Sequence, residues 1–198
     1  KPSKNFKKIQ HKVPMLSLSN AFSETDLINF EKRIFNFLDK KGDFKIQYSA
    51  EPKIDGISAS LVYKNGKFVT GLSRGDGKEG EDITENLKTI KDIPITIISK
   101  DFPDEIDIRG EVFIKNSDFK KLSDNFANPR NAASGSLRQK NPEVTKKIPL
   151  NFVAYNFGYF ESDKIKKQSD FLNSLQKWGF KISEHNKVLK NIKELENF

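Results

Sequence analysis

Asn65-Gly66 is the strongest hairpin signal in this chain. An Asn-Gly pair accepts the left-handed backbone that both central positions of a tight two-residue turn require. The stretches on either side, Ile57 to Tyr63 and Lys67 to Ser73, read as strands, so the spacing predicts an antiparallel hairpin. Everything upstream and downstream must be compatible with a sheet that contains this pair.

Further strands are expected over Lys45 to Pro52, Ile106 to Ile114 and Leu150 to Phe157, the last largely apolar and read as a central strand. A helix should begin at Ser23-Glu24-Thr25-Asp26, with Ser23 as its cap. Leu27, Phe30, Ile34, Phe37 and Leu38 then recur at helical spacing through Asp39, which implies one buried face. Short helices are expected over Asp82 to Ile90, with Ile83, Leu87 and Ile90 on one side, and over Ser117 to Asn125. Asn131 to Gln139 is rich in Ala and Ser and predicts a helix packed closely on its neighbour. Ser169 to Trp178 is amphipathic through Phe171, Leu172, Leu175 and Trp178. Pro14-Met15-Leu16-Ser17-Leu18 reads as a short strand or turn, and Lys1 to Gln10 as a basic, extended arm. Strand pairs irregularly interrupted by short helices indicate an α+β fold built on antiparallel sheets, not a βαβ wind. No repeat or low-complexity linker divides the chain, so one domain is expected. Asn191-Ile192-Lys193-Glu194 resembles a capping box opening a helix only a few residues before Phe198, which suggests a piece of a longer protein.

Composition narrows the chemistry. With no cysteine, disulfides, thiolate nucleophiles and cysteine-based zinc sites are excluded, and two distant histidines, His11 and His185, argue against a His-based metal site or a Ser-His-Asp triad. No apolar run reaches membrane-spanning length and no charged-then-apolar signal segment opens the chain, so a cytoplasmic protein is expected. The net charge of +8 suits phosphate-rich partners, although a lysine-rich solvated surface explains it equally well.

The motifs carry more. In Glu51-Pro52-Lys53-Ile54-Asp55-Gly56 a lysine stands two residues from an acid, between two stretches read as strands. At a strand end in a phosphate-binding cleft, a deprotonated Lys53 could attack a nucleotide α-phosphorus and form a phosphoramidate. Asp55 would share its face if the strand continues, orienting the lysine or holding a divalent cation, and Gly56 would let a nucleotide approach the backbone. The alternative is an exposed Lys-Asp pair before a glycine bulge. Arg74-Gly75-Asp76-Gly77-Lys78-Glu79-Gly80-Glu81-Asp82 follows the hairpin and would set a guanidinium against phosphate or ribose. Glu81 and Asp82 suit the start of the next helix, where carboxylates favour its dipole. Arg109-Gly110-Glu111 lies within a strand, either as a structural ion pair or as a site facing a cleft. Asn128-Pro129-Arg130-Asn131 enters a helix, and Arg130 and Arg138 could reach phosphates or serve on the surface.

Taken in order, Pro14 to Leu18, Glu51 to Gly56, Arg74 to Asp82, Arg109 to Phe113 and Ala127 to Gln139 resemble the adenylation domain of bacterial NAD+-dependent DNA ligases. Lys-x-Asp-Gly alone is shared with ATP-dependent ligases and mRNA capping enzymes. Arg-Gly-Asp-Gly-x-x-Gly-Glu-Asp and Ala-Asn-Pro-Arg-Asn-Ala-Ala-x-Gly-Ser-Leu-Arg-Gln are narrower and resemble the NAD+ branch, over about His11 to Phe198.

The resemblance implies a nucleotidyltransferase (ATP-grasp-like) adenylation domain spanning residues 1–198, with the nucleotide in a cleft between antiparallel sheets. It implies that Lys53 carries AMP taken from NAD+, releasing nicotinamide mononucleotide, with Asp55 assisting it and Mg²⁺. Glu51 and Ile54 would touch the adenine, Tyr155 would supply its aromatic face, and Ser17 and Leu18 would line the pocket. Arg74 and Glu111 would hold the ribose and phosphate side, and Arg130 and Arg138 would face nicked duplex DNA or the leaving phosphates. A bacterial, cytoplasmic monomer is implied. The family's N-terminal nicotinamide-gripping segment, its later Asp-Gly-Val-Val-Ile-Lys motif and further lysine, and its oligonucleotide-binding, zinc-finger, helix-hairpin-helix and BRCT domains are not among these residues. The expectation is therefore a domain truncated at both ends, with no nick sealing and little or no self-adenylation by itself. Two other readings stay open on the residues: an ATP-using ligase or capping-type enzyme, and a noncatalytic basic module in which Lys53 is an electrostatic contact.

Overall fold

Short strands and short helices alternate along the chain in a computed structural model that describes residues 6–40, 45–122, 126–160 and 165–198. β1 (Lys8–Gln10), α1 (Glu24–Phe37) and β2 (Tyr48–Ala50) lead into the long strands β3 (Ile57–Lys64) and β4 (Lys67–Ser73). β5 (Glu79–Glu81), α2 (Thr84–Leu87), β6 (Glu105–Ile114), α3 (Asn116–Phe119), α4 (Pro129–Leu137), α5 (Pro142–Lys146) and β7 (Leu150–Phe160) follow. α6 (Gln168–Lys177), β8 (Lys187–Leu189) and α7 (Ile192–Glu196) close the chain. All strand pairings are antiparallel, as the α+β expectation requires. The residues gather into two compact units, Lys1–Leu16 with Lys53–Ser183, and Ser17–Pro52 with Glu184–Phe198.

The larger unit is organised by the hairpin. Asn65 and Gly66 have φ of 48° and 71°, the left-handed pair that the Asn-Gly signal anticipates. β3 and β4 extend into a four-stranded sheet of order β4-β3-β6-β7. Alternation then separates its two faces. Ala59, Leu61 and Tyr63 from β3 and Ile106, Ile108 and Val112 from β6 point into the main core with Leu87, Phe171, Leu172 and Leu175. Phe157 meets Phe171 edge-on with centroids 4.8 Å apart. β7 is an edge of this sheet, not a central strand. Its apolar residues reflect burial by α6 on one face, a signal that does not distinguish edge from centre.

Several elements are shorter than their sequence patterns suggest. Of Lys45 to Pro52 only β2 pairs, with β8. Past Leu87 the backbone bonds tighten to i→i−3 turns (Thr89 to Asn86, Ile90 to Leu87, Ile93 to Ile90), so α2 is a single turn although Ile83, Leu87 and Ile90 are all buried. α3 gives way in the same manner at Lys121 and Leu122; Asp124 and Asn125, at the end of that expected helix, lie outside the described residues. α4 matches its Ala- and Ser-rich reading, with Ala132 and Ala133 fully buried against Ile114. Lys8–Gln10 is extended but pairs with β5, and residues 1–5 lie outside the described set. Pro14 to Leu18 forms no strand. Met15 is buried and its N–H donates to Gly77 O at 2.8 Å.

In the smaller unit Ser23 caps α1 as expected, and Asp26 closes a reciprocal capping box with it. The apolar face of that helix is not buried as its spacing implies: Ile34 packs against the small cluster of Tyr48, Ala50 and Leu189, while Phe30 is 39% and Phe37 89% exposed. At α7 the Asn191 side chain accepts from Glu194 N at 2.9 Å, but the Glu194 carboxylate turns to the N–H of Lys190 at 2.8 Å instead of closing the box on Asn191.

Candidate active site

The face of the four-stranded sheet opposite the core is polar. Its layout follows from register: β3 sets Ser58 across from Glu111 and Ser60 across from Arg109 on β6. Period-two alternation thus puts Ser58, Ser60, Asp107, Arg109 and Glu111 on one face, while Ala59, Leu61, Ile108 and Val112 occupy the other.

At one end of this face Arg109 and Asp107 form a buried pair, 9% and 4% exposed. The guanidinium donates to Asp107 Oδ2 at 3.2 Å from Nη2, to Pro14 O at 3.0 Å from Nη1, and to Val13 O. Ser60 Oγ–H donates to the other Asp107 oxygen at 2.6 Å. Gly158 makes room for this pair, because a Cβ there would come within 2.0 Å of Asp107 Oδ2 and 2.2 Å of Arg109 Nη2. Of the two readings left open for Arg109-Gly110-Glu111, the arginine is structural: it ties the segment before Met15 to the sheet.

Glu111 behaves differently. It is half-buried, and its Oε2 accepts from Ser58 Oγ–H at 2.8 Å. Burial pushes its carboxyl above the ordinary 4.5; the Ser58 bond and the charges of Lys53 and Arg130 pull it back, and Asp55 pushes it up. Lys53, Asp55 and Arg130 therefore lie within electrostatic reach of one carboxylate. Arg130 Nη1 also pairs with Asp55 Oδ1 at 3.3 Å, with both side chains more than half exposed, so the pair contributes little stability and can exchange partners. Tyr155 lies at an irregularity of the β6–β7 ladder, between the pairs Gly110 with Ala154 and Arg109 with Asn156. Burial raises its phenol pKa, opposed by a hydrogen bond with Ser58 and by the charges of Arg109 and Arg74, while Glu111 adds to the rise.

The raised carboxyl of Glu111 has a pH signature. An acid that binds its proton more tightly in the folded state favours folding below its unfolded value, and that contribution is lost as pH climbs through the folded value. Starting near the ordinary 4.5, the parent should therefore lose stability relative to Glu111→Gln as pH rises. Paired urea melts across the acidic range measure this, and parallel stability curves would exclude it.

The glycine-rich loop is held by its own side chains. Asp76 Oδ1 accepts from the N–H groups of Lys78 and Glu79 at 2.8 and 2.9 Å, bonds that hold its carboxyl low. Gly75 and Gly77 have φ of 58° and 93°, where a side chain would be strained. Arg74 is exposed at the end of β4, its carbonyl meeting His11 Nε2 at 3.2 Å. Glu81 does not start a helix; it sits in β5 and accepts from Arg138 Nε at 2.7 Å. Asp82 accepts from Thr84 N at 3.1 Å, near the start of α2.

With this geometry in place, comparison with known families is decisive: the model of the NAD-dependent DNA ligase adenylation domain matches residues 3–198. The chain belongs to this family. It is 67% identical over 195 residues to a DNA ligase of Pelagibacter ubique, covering 98% of this chain and 29% of that protein. A DNA ligase of Parvibaculum lavamentivorans is 48% identical, covering 92% and 27%, and one of Hahella chejuensis is 42% identical, covering 98% and 29%. The chain thus spans under a third of the length of these relatives. None of the helices among the described residues is long and apolar enough to cross a membrane.

For this adenylation domain, the larger unit brings together Lys53, Asp55, Glu111, Arg130 and Tyr155. Lys53 and Asp55 lie in the irregular segment before β3, so the continuing strand expected to align them is absent. Gly56 is needed for packing: a Cβ there would come 2.3 Å from Val112 O. Arg138 pairs with Glu81, its Nε 2.7 Å from Oε2. Ile54 is half-buried in the same segment as Lys53. Ser17, Leu18 and Glu51 belong to the smaller unit, where Leu18 is 77% exposed and Glu51 accepts from Ser49 Oγ at 3.3 Å. Ser58, Ser60 and Asp107 escaped the sequence reading. The alternation in Ile57-Ser58-Ala59-Ser60-Leu61 carries that signal, since both serines fall on the face opposite Ala59 and Leu61.

Proposed function

We propose that Lys53 is the nucleophile of a nucleotidyl transfer that takes AMP from NAD+. Its Nζ, once deprotonated, forms a bond to the α-phosphorus as the bond to the phosphate oxygen of nicotinamide mononucleotide breaks and that group departs. AMP then passes to the 5′-phosphate of a nick in duplex DNA, and the complete protein joins the strand when the 3′-hydroxyl displaces AMP. The observation that carries this reading is the convergence of Lys53, Arg130, Glu111 and Tyr155 around one polar sheet face of a chain in the NAD-dependent adenylation family.

Each side chain has a task that suits its surroundings. The exposed pair of Arg130 with Asp55 can open, freeing the guanidinium for phosphate oxygens and the carboxylate to receive the lysine proton. Glu111 offers an acceptor to the ribose side, and the ring of Tyr155 offers a face to the base; Ile54 and Arg74 add nucleotide contacts in this reading. Among the described residues no cluster of three His, Cys, Asp or Glu side chains could hold a metal by itself. Mg²⁺ binds through one or two carboxylates together with substrate phosphates, and Asp55 would be its carboxylate here. When bound, it would neutralise charge on the phosphate oxygens.

Incubating the complete protein with NAD+ or ATP labelled in the adenylate, then mapping the labelled peptide, tests the proposal. Label on Lys53 from NAD+ and little from ATP is expected. Comparable labelling from ATP would overturn the choice of donor.

A further inference from the structure

We infer that His11 is a positioning residue: its ring pins the turn that begins at Arg74 and so aims that guanidinium at the nucleotide. The inference rests on the adenylation reading above and adds to it a residue that the reading does not use.

The His11 ring is buried, with Nε2 3.2 Å from the carbonyl oxygen of Arg74. A carbonyl only accepts, so Nε2 carries the hydrogen and donates. The same oxygen accepts from Gly77 N at 3.0 Å, which closes a four-residue turn from Arg74 to Gly77. Both lone pairs of the Arg74 carbonyl are therefore engaged, one by the turn itself and one by the ring. The other ring nitrogen, Nδ1, is buried without a hydrogen-bond partner among the described residues. The contact with Arg74 is thus the ring's one polar attachment there. Gly80 leaves room for it, since a Cβ at that position would come 3.0 Å from Nε2.

The ring belongs to a clasp that leads back to the sheet. His11 N donates to Lys78 O and Met15 N to Gly77 O, each at 2.8 Å. Between them, the carbonyls of Val13 and Pro14 accept from the buried Arg109 guanidinium. These backbone bonds hold the far side of the loop, at Gly77 and Lys78, whereas only the ring reaches back to Arg74. Arg74 is exposed, and among the described residues no hydrogen bond or ion pair holds its guanidinium. Its direction is therefore set by its own backbone, and fixing that backbone lowers the entropy lost when the side chain engages a ligand.

The test measures NAD+ binding by calorimetry in the complete protein carrying Lys53→Ala, in which no adenylate can be transferred to that lysine. Where that parent binds too weakly to measure, the NAD+ dependence of Lys53 labelling in the intact protein gives the same comparison. Arg74→Ala should weaken binding about 10- to 100-fold, the loss expected of a charged hydrogen bond. His11→Leu should cost part of this, about 3- to 10-fold, because the guanidinium keeps its charge and loses only its aim. His11→Gln, whose amide can donate in place of Nε2, should stay within about 2-fold of its parent. In the Arg74→Ala background His11→Leu should add less than about 2-fold, because the ring acts through that side chain. A merely structural histidine would cost as much there as in the parent. Should His11→Leu not fold, His11→Asn, whose shorter amide cannot reach Arg74 O, takes its place. Binding within about 2-fold of the parent for His11→Leu, or an equal loss with Arg74 already removed, would overturn the inference and leave Lys53 labelling intact. No loss from Arg74→Ala would do the same. Absence of both NAD+ binding and label on Lys53 would refute the adenylation reading, and the role of His11 with it.

Discussion

Lys53→Ala in the complete protein should abolish adenylate transfer from NAD+, with a loss on the order of 10⁴-fold or more, while DNA binding stays close to that of the parent. The expected size follows from what is removed. The other groups at the site can orient a phosphate and spread its charge, but none of them is a lysine amine able to form the phosphoramidate. A positioning or electrostatic contact would cost far less, about 10- to 100-fold. Lys53 is exposed and lies in irregular backbone, so its truncation should leave the fold unchanged. Gel detection of labelled protein, beside a mobility assay on nicked duplex, separates the outcomes. Unchanged labelling would refute Lys53 as the nucleophile, since another group would then carry the adenylate.

Arg109→Met should be the most destabilising change at the site, lowering stability by about 3–5 kcal/mol in urea melts. The guanidinium is nearly buried with Asp107, and it also satisfies the carbonyls of Val13 and Pro14. Without it, Asp107 keeps only the Ser60 hydroxyl among the contacts described here and becomes a buried charge without a counter-ion. Adding Asp107→Leu should recover part of the loss, because replacing both partners of a buried pair removes the stranded charge. A loss below about 1 kcal/mol for Arg109→Met would show that water reaches Asp107 readily and that the segment before Met15 is held by other contacts.

These two residues mark how far local pattern reaches. Asn65-Gly66, the Ser23 cap and the Ala-rich α4 were readable because each depends on neighbours within a few positions: a left-handed turn, a capping hydroxyl, small side chains on one face. Element ends were less readable. α2 and α3 stop where backbone bonds shift to tighter turns, and β7 is an edge because of pairing with β6 alone, which its apolar run does not encode.

The same division holds for the site. The ordered motifs around Lys53, Arg74, Arg109 and Asn128 were enough to place the chain in the NAD-dependent DNA ligase adenylation family, since their residue types and order are a one-dimensional signature. What each charged side chain does was decided by tertiary structure. Arg109 and Glu111 are two positions apart on one strand, yet the first is locked into a buried pair while the second is half-buried and answers to Lys53 and Arg130. Arg138 is engaged by Glu81 from fifty-seven residues away, and Ser58 gains its place only through the register of β3 on β6. The physical reason is that charge and hydrogen-bond energies depend on burial and on partners brought in by long-range pairing, and neither quantity is a property of the residues adjacent in sequence.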